Sequence, residues 1–387
     1  MHHKVWIWSL FTIGFLSITA SPLSAQSVNI VSTSVPFLRV SPDARAGAMA
    51  DAGLALSPDA NATFWNSAKS VFAQSNSQLG LTYTPWLKDI AQDVYLVTAA
   101  GYTKINDNQA VTGGIRYFNL GQMQLTDASG NLLQNTRPKE FSLEAGFNQK
   151  ITDVLSAGVT FRYINSNLVS GAINGSNYKA GTAFAGDISI FYNNLNENGA
   201  GVTAALTASN LGSKISYTND AQSKQFIPAN LGIGIANTWV LDDLSKFTGT
   251  INANHLLVPS YPSYTNSDGS TLTDAQQDAY DKSVADYYSY GVFQSWSKSF
   301  SNKAYSMSLG GEYSYNNQFF ARAGYYWETK ENGNRKYLTA GVGLKYSTFD
   351  LSFAYLAPSG SGLNRNPLSN TLRFGVIFDL ASIANNN

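Results

Sequence analysis

The chain predicts an all-β transmembrane barrel, and three observations predict it. After residue 77, segments of about ten residues alternate apolar with small or polar side chains. The junctions between them are long and short in turn. Beyond the N-terminus no run is apolar enough for a membrane helix, which needs roughly 20 such residues where a tilted strand needs about ten.

The elements follow in order. Lys4, the apolar run Val5 to Ile18 and the small residues Ser21 to Ala25 predict a signal peptide over 1–25. Residues 26–76 do not alternate and are assigned to a small hatch. Asp43 to Ala50 reads as a short helix, with Ser41 as its cap and Pro42 in its first turn. Ala60 to Ala68 is a second small, mostly apolar segment. Runs of Ala and Gly suit tight packing, so both are placed inside the lumen. The barrel takes 77–387.

Period 2 puts one parity on each face of a strand. Leu155, Ala157, Val159, Phe161 and Tyr163 alternate with Ser156, Gly158, Thr160 and Arg162; Leu338 to Tyr346 and Leu372 to Leu380 behave alike. The apolar parity is expected to face lipid. Short junctions near 105–108, 150–153, 193–199, 241–245, 316–318 and 348–349 carry turn residues such as Asn316-Asn317. Between them lie longer ones at 86–92, 119–137, 166–181, 212–227, 258–302, 330–334 and 358–369. This scheme predicts 14 antiparallel strands with both termini on the short-turn, periplasmic side. It requires Asp286 to Ser301 to lie within a long loop, although Tyr288 to Phe293 has the look of a strand.

Composition agrees. Charged residues make up 13 % of the chain, well below the ~25 % of soluble domains. Aromatics are also 13 %, including 22 Tyr, as girdles at two membrane interfaces would require. The formal net charge is zero, which speaks against nucleic acid. The chain has no cysteine, so neither a disulfide nor a lipid-modified cysteine is available.

Few residues could carry chemistry. His255 is the one histidine outside the signal peptide, and no set of metal ligands surrounds it in sequence. There is no nucleophile elbow, Walker loop or zinc-protease motif, and no cofactor is implied. Asn266 to Gly269 hints at a calcium loop, but Tyr264 and Ala275 stand where an EF-hand needs acids. The inward parity carries Arg116, Glu144, Arg162, Asp187, Glu312, Arg322, Lys345 and Arg373, read as a lumenal salt-bridge network. Arg45 and Asp51 are the expected hatch partners of these charges. In the 119–137 loop, Leu120, Met123, Leu125, Leu132 and Leu133 are too apolar for a solvated turn and predict a partner-binding hairpin around Ala128 to Asn131. The 258–302 loop is rich in tyrosine, with Tyr261 and Tyr264 as candidate contacts.

At this point the sequence resembles a known family, the PorV outer-membrane proteins of the type IX secretion system, within the FadL-like barrels. The resemblance rests on Pro36-Phe37-Leu38, Pro42 to Gly47, Met49, Asp51-Ala52-Gly53, Ser57-Pro58-Asp59 and Asn66. Gly311 to Tyr315, Ala321 to Tyr325, Gly333 to Tyr337, Gly341 to Gly343, Asn366 to Leu368 and Asn370 to Phe374 extend it. It implies a hatch motif at Asp43, Arg45, Gly47, Asp51, Gly53 and Asn66. Asn66-Ser67-Ala68 departs from the Asn-Pro-Ala usual in FadL-like barrels. The resemblance also implies a non-enzymatic outer-membrane carrier. Such a protein binds the C-terminal signal domain of secreted cargo beside a large translocon pore and delivers it to a sortase-like surface protease. The alternatives are a FadL-like transporter of hydrophobic small molecules and a lipopolysaccharide-deacylating enzyme. The transporter needs a lateral gap, which a kink at Gly113-Gly114 would permit. The enzyme needs a serine within hydrogen-bond reach of His255.

Overall fold

The computed structural model describes residues 29–86, 93–127, 129–173, 175–220, 224–262, 272–357 and 370–385. The signal peptide, Tyr264, Asn266 to Gly269, Ala128 and the junction 358–369 lie outside the described residues. Among the described residues no helix is long and apolar enough to cross a membrane, a statement that does not touch strands.

Fourteen antiparallel strands close into one barrel. They are β1 (Ser77–Pro85), β2 (Val94–Asn106), β3 (Gln109–Leu120), β6 (Lys139–Lys150), β7 (Leu155–Asn167), β10 (Gly181–Leu195) and β11 (Gly201–Gly212). They continue with β12 (Asn230–Val240), β13 (Ser245–Leu256), β14 (Tyr305–Tyr315), β15 (Phe319–Glu328), β16 (Lys336–Tyr346), β17 (Phe349–Ala357) and β18 (Leu372–Asp379). Two hairpins stand outside the barrel sheet: β4 (Met123–Thr126) with β5 (Leu132–Thr136), and β8 (Gly171–Ile173) with β9 (Ser176–Tyr178). The seam pairs Gln78 to Tyr83 of β1 with Asp379 to Phe374 of β18, so no strand edge is left open.

The short junctions gather at one end of the barrel and the long ones at the other. Asn316 and Asn317 both take left-handed backbone angles (φ 54° and 49°), and Gln318 N–H closes the turn on Tyr315 O at 3.0 Å. That is the primed turn whose twist matches a tight hairpin, and asparagine tolerates it best after glycine. Side-chain alternation follows the sequence. Val159, Phe161, Leu309 and Val342 are 57–59 % exposed on the outer face, while Thr160, Arg162 and Ser308 are 2–4 % exposed within. In a bilayer that outer exposure is contact with hydrocarbon. Tyr83, Tyr95, Tyr117, Phe141, Tyr163 and Phe184 form a belt near the long-loop end, with ring centroids 5.4–6.4 Å apart in the pairs Tyr83–Tyr95, Tyr95–Tyr117, Phe141–Tyr163 and Tyr163–Phe184.

The segment before β1 runs through the lumen. It holds a 3₁₀ turn (Pro36–Arg39), helix α1 (Ala44–Gly47), helix α2 (Ala62–Trp65) and a second 3₁₀ turn (Ser67–Phe72). The cap of α1 is Asp43 rather than Ser41: Asp43 Oδ1 accepts the Ala46 N–H at 2.8 Å, so Pro42 precedes the helix instead of opening it. The helix is also shorter than its periodicity predicts, because Ala50 and Asp51 turn left-handed (φ 56° and 66°).

One expectation is corrected here. The ends of β1 and β18 share the short-turn end, but the first described residues do not. Asn29 Nδ2 donates to Tyr261 O, Val31 N to Glu331 O and Ser34 N to Phe226 O, and all three acceptors lie in long junctions. The chain enters at the long-loop mouth, crosses the lumen and only then begins β1. Periodicity describes each strand and does not encode the direction of this passage.

The 258–302 segment contains no strand among its described residues. It carries helix α3 (Asp274–Ser289) and helix α4 (Val292–Ser299), and Tyr288 to Phe293 spans the break between them. Thr273 and Gln276 form a reciprocal capping box at the start of α3. A last helix, α5 (Leu380–Asn385), follows β18 at the short-turn end.

Candidate functional site

The interior is a plugged lumen with an apolar, hairpin-bearing mouth at the long-loop end. The plug fits because the wall is cut away for it. A Cβ on Gly324 would lie 2.4 Å from the Met49 carbonyl carbon, one on Gly310 2.6 Å from Met49 Cβ, and one on Gly341 2.4 Å from Ala48 Cβ. The inward-parity glycines thus let an alanine-rich hatch touch the strands.

Register assembles the charges. Glu144 faces Arg162 across β6 and β7, and the inward neighbours Arg116 and Asp187 complete a chain. Arg116 Nε and Arg162 Nε lie 3.2 and 3.0 Å from Glu144 Oε1, and Arg162 Nη2 lies 2.8 Å from Asp187 Oδ2. Arg116 Nη1 donates to Leu38 O at 2.9 Å and its guanidinium lies 4.5 Å from the Phe64 ring, fixing the hatch to the wall. Asn210 extends the chain: its N–H donates to Asp187 Oδ1 at 2.7 Å and its side chain accepts from Arg162. It can do so because β11 bulges there, where its register with β10 shifts and Asn210 is left-handed (φ 55°).

A second cluster joins hatch and wall. Glu312 faces Arg322 across β14 and β15. Its Oε2 accepts from Arg322 Nε at 2.6 Å, and its Oε1 accepts from Arg45 Nη2 at 2.9 Å. Arg45 also holds Asp59 at 3.1 Å. Asp51, expected to meet a cation, instead accepts the Tyr337 hydroxyl at 3.1 Å. Lys345 lies opposite Asp350, with no ion pair to it within 4 Å. Arg373 is 2 % exposed, and its Nε and Nη1 find no hydrogen-bond acceptor among the described residues.

The remaining hatch-motif residues have packing roles. Asp43 Oδ2 accepts the Trp65 indole N–H at 2.5 Å. Gly53 lies under the same indole, where a Cβ would come within 2.5 Å of the ring. Gly47 lies beside the Arg373 side chain. Asn66 caps Ala68 N–H at 3.1 Å and donates to Ile190 O at 2.9 Å. Ser67 supplies a hydroxyl 3.2 Å from Ser189 Oγ and accepts from Thr160 Oγ1 at 3.1 Å.

Sequence reasoning missed a third cluster at the long-loop mouth. Glu328, fully buried, takes Arg335 Nε at 2.7 Å and Nη2 at 2.9 Å and the Tyr326 hydroxyl at 3.0 Å, with Arg39 at 3.9 Å. Its inward parity on β15 was the available signal. Lys69 was missed too. It is 2 % exposed, and Nζ donates to Gly53 O at 3.0 Å among Asp43, Asp59 and Arg45. Burial pulls it down to about 8, with Asp59 opposing that fall. A lysine lowered on folding penalises the folded state while it is charged. Plug stability should therefore rise as pH climbs from about 8 toward the ordinary lysine value of 10.5. Lys69→Met should abolish that rise, as read by urea unfolding at stepped pH.

The long-loop mouth carries the apolar hairpin. Met123, Leu132 and Leu133 are 40 %, 55 % and 42 % exposed, while Leu125 is half-buried. Asp127 builds the turn by accepting from Ser129 N–H (2.9 Å) and Asn131 N–H (2.8 Å). Leu120 is not part of that surface: it ends β3 and packs on the Val35–Phe37–Leu38 cluster. Tyr261 is half-buried against Tyr287, 5.1 Å between centroids.

β3 pairs through Gly113 and Gly114 without a shift on either side; Gly114 makes room for Phe64 and Thr63 instead of a kink. A cavity of about 140 Å³ lies between the plug and the wall on the long-loop side. His255 stacks on Tyr305 (4.4 Å) and Phe300 (5.8 Å), and neither ring nitrogen bonds a serine hydroxyl. Among the described residues no three His, Cys, Asp or Glu stand together for a metal.

Comparison with known proteins places this architecture. A family model described as "Type IX secretion system protein PorV" matches residues 23–263. No curated protein matches the chain. Among solved structures, the CymD monoaromatic hydrocarbon channel aligns at TM-score 0.51 and 12 % identity, covering 92 % of this chain and 98 % of that one. A Pseudomonas aeruginosa FadL homologue aligns at 0.48 and 11 %, covering 91 % and 100 %. The P. putida toluene transporter TodX aligns at 0.47 and 13 %, covering 87 % and 96 %. The CymD likeness shows a common FadL-like fold.

Proposed function

Because the chain belongs to the PorV family of type IX secretion system proteins, we propose that it works in the outer membrane as a non-enzymatic carrier. In this reading it binds the C-terminal signal domain of secreted cargo beside the large translocon pore and hands it to the sortase-like surface protease. The observation that carries the reading is the plugged lumen. With the hatch tied to the wall through Glu312 and Arg116, the barrel offers its work through its outer mouth rather than through a pore. There the β4–β5 hairpin exposes Met123, Leu132 and Leu133, an apolar surface suited to a protein partner. Half-buried Tyr261 and the tyrosines around it supply rigid contact area on another sector of the same mouth, between β13 and β14, and Tyr264 belongs to the same loop.

Affinity purification from detergent-solubilised membranes tests this. The intact protein should bring down the translocon pore and secreted proteins sharing one C-terminal domain. Deleting residues 122–134 should lower translocon recovery at least about tenfold, equivalent to ~1.4 kcal/mol. Undiminished recovery would remove the hairpin from the interface. Normal secretion with lost uptake of hydrophobic compounds would transfer the assignment to transport.

The orientation that goes with this reading puts short turns in the periplasm and the long-loop mouth outside. The cysteine-free chain makes that easy to check. Ile30→Cys, at a site 55 % exposed at the long-loop mouth, should react with a membrane-impermeant maleimide on intact cells. Asp107→Cys, in the β2–β3 short turn, should react only after the cells are opened.

A further inference from the structure

Helix α4 is amphipathic in the reverse of the usual sense. Its buried residues are Ser295 (1 % exposed) and Ser299 (0 %), whereas Phe293 is 80 % and the capping Phe300 64 % exposed. On a wheel of about 100° per residue three arcs follow one another: the two serines, then Phe293, Trp296 and Phe300, then Gln294, Lys298 and Ser301. A helix that merely covered a soluble core would turn its aromatic arc inward.

The helix also lies over the wall rather than over the lumen. α3 covers the lumen, sending Tyr287 into a cluster with Val31, Phe226 and inward-facing Leu256. His255, one residue earlier on β13, has outward parity, and it is 7 % exposed only because Phe300 and Tyr305 cover it. Below this stack the outward column of β14 continues through Met307 (43 % exposed) and Leu309 (57 %). The aromatic arc of α4 is therefore continuous with the lipid-facing band at its outer edge.

The helix is fitted for an apolar medium. Ser295 and Ser299 return their hydroxyls to the carbonyls of Val292 and Trp296, both at 2.6 Å, and exposed Ser297 does the same to Gln294 at 2.9 Å. Their demand for water is thereby met within the helix. Lys298 and Lys303 are exposed, on the side from which anionic headgroups would approach.

We propose that α4 is an interfacial anchor that inserts Phe293, Trp296 and Phe300 into the lipid layer around the barrel and sets its outer mouth at a fixed height and tilt. The full protein would be placed in phosphatidylcholine nanodiscs, either unbrominated or brominated near the carbonyls or near the methyl ends. Trp296 is read from the difference between wild type and Trp296→Phe. That difference signal should be quenched, more strongly by the shallow bromines than by the deep ones. Outward-facing Trp239, 48 % exposed on the wall, should remain quenched in both proteins and so report correct insertion. Phe293→Asp/Phe300→Asp should keep the Trp239 quenching and lose that of Trp296. A Trp296 signal untouched by either bromine position would overturn the proposal, whether the emission is blue-shifted, as under a protein partner, or red-shifted, as in water. Persistence of Trp296 quenching in the double aspartate variant would overturn it as well.

Discussion

Glu312→Gln is expected to loosen the plug without opening the barrel. The carboxylate is 6 % exposed and is shared by two guanidinium groups, Arg45 of the hatch and Arg322 of the wall. Removing its charge leaves Arg45 with Asp59, but leaves Arg322 without its carboxylate and with neutral neighbours, the Ser352 hydroxyl at 3.2 Å and the Phe320 ring. Breaking one partner out of a buried ion cluster costs about 3–5 kcal/mol, because the remaining charge stays desolvated. The loss should appear as a lower urea midpoint for the folded band on unheated gels. Trypsin should also begin to cut after Arg45 while the strands stay protected. A loss under ~1 kcal/mol, the value of an exposed pair, would mean that water in the lumen screens the cluster.

The second large effect is expected at Gly324→Val. The new Cβ would lie 2.4 Å from Met49 C and 2.6 Å from Ala50 N, and both are backbone atoms that no rotamer change can move. Overpacking a core costs about 1–3 kcal/mol where side chains can shift; here the hatch itself must be displaced, so the cost should exceed that range. Gly113→Ala is the matched control. It lies on the outer face, and its nearest neighbour within 4 Å would be Glu144 O at 3.7 Å, so its folded yield should equal wild type. If Gly324→Val also folds normally with Arg45 protected from trypsin, the plug does not touch the wall as described.

How much was legible depended on whether a feature is local. The parity of Val159, Phe161 and Leu338 could be read directly, because a two-residue period is a property of neighbouring positions. The strand number followed from the alternation of junction lengths, provided Asp286 to Ser301 stayed out of the sheet. Its helical form was not legible, since tyrosine-rich Tyr288-Ser289-Tyr290 suits a strand as well as a helix end. The pairing of Glu144 with Arg162 was open to sequence because both lie on one parity of adjacent strands. Glu328 with Arg39 was not, because their partnership depends on the path of the N-terminal segment through the lumen. Gly113-Gly114 misled for a similar reason. A glycine pair serves a bend and a close approach equally, and only the position of Phe64 decides between them.

The first described residues lie at one mouth and β1 begins at the other, which bears on biogenesis. Residues 29–76 pass down the axis of a cylinder whose staves β1 and β18 are hydrogen-bonded from Gln78 to Tyr83. A cork tied to the wall by Arg45, Arg116 and Asn66 has to release those ties to slide along the axis. Closing β1 on β18 around a leader already lying in the lumen would make the ties without any passage through a sealed ring. On that route the facing edges of β1 and β18 are the last unpaired backbone, the part an assembly factor would hold.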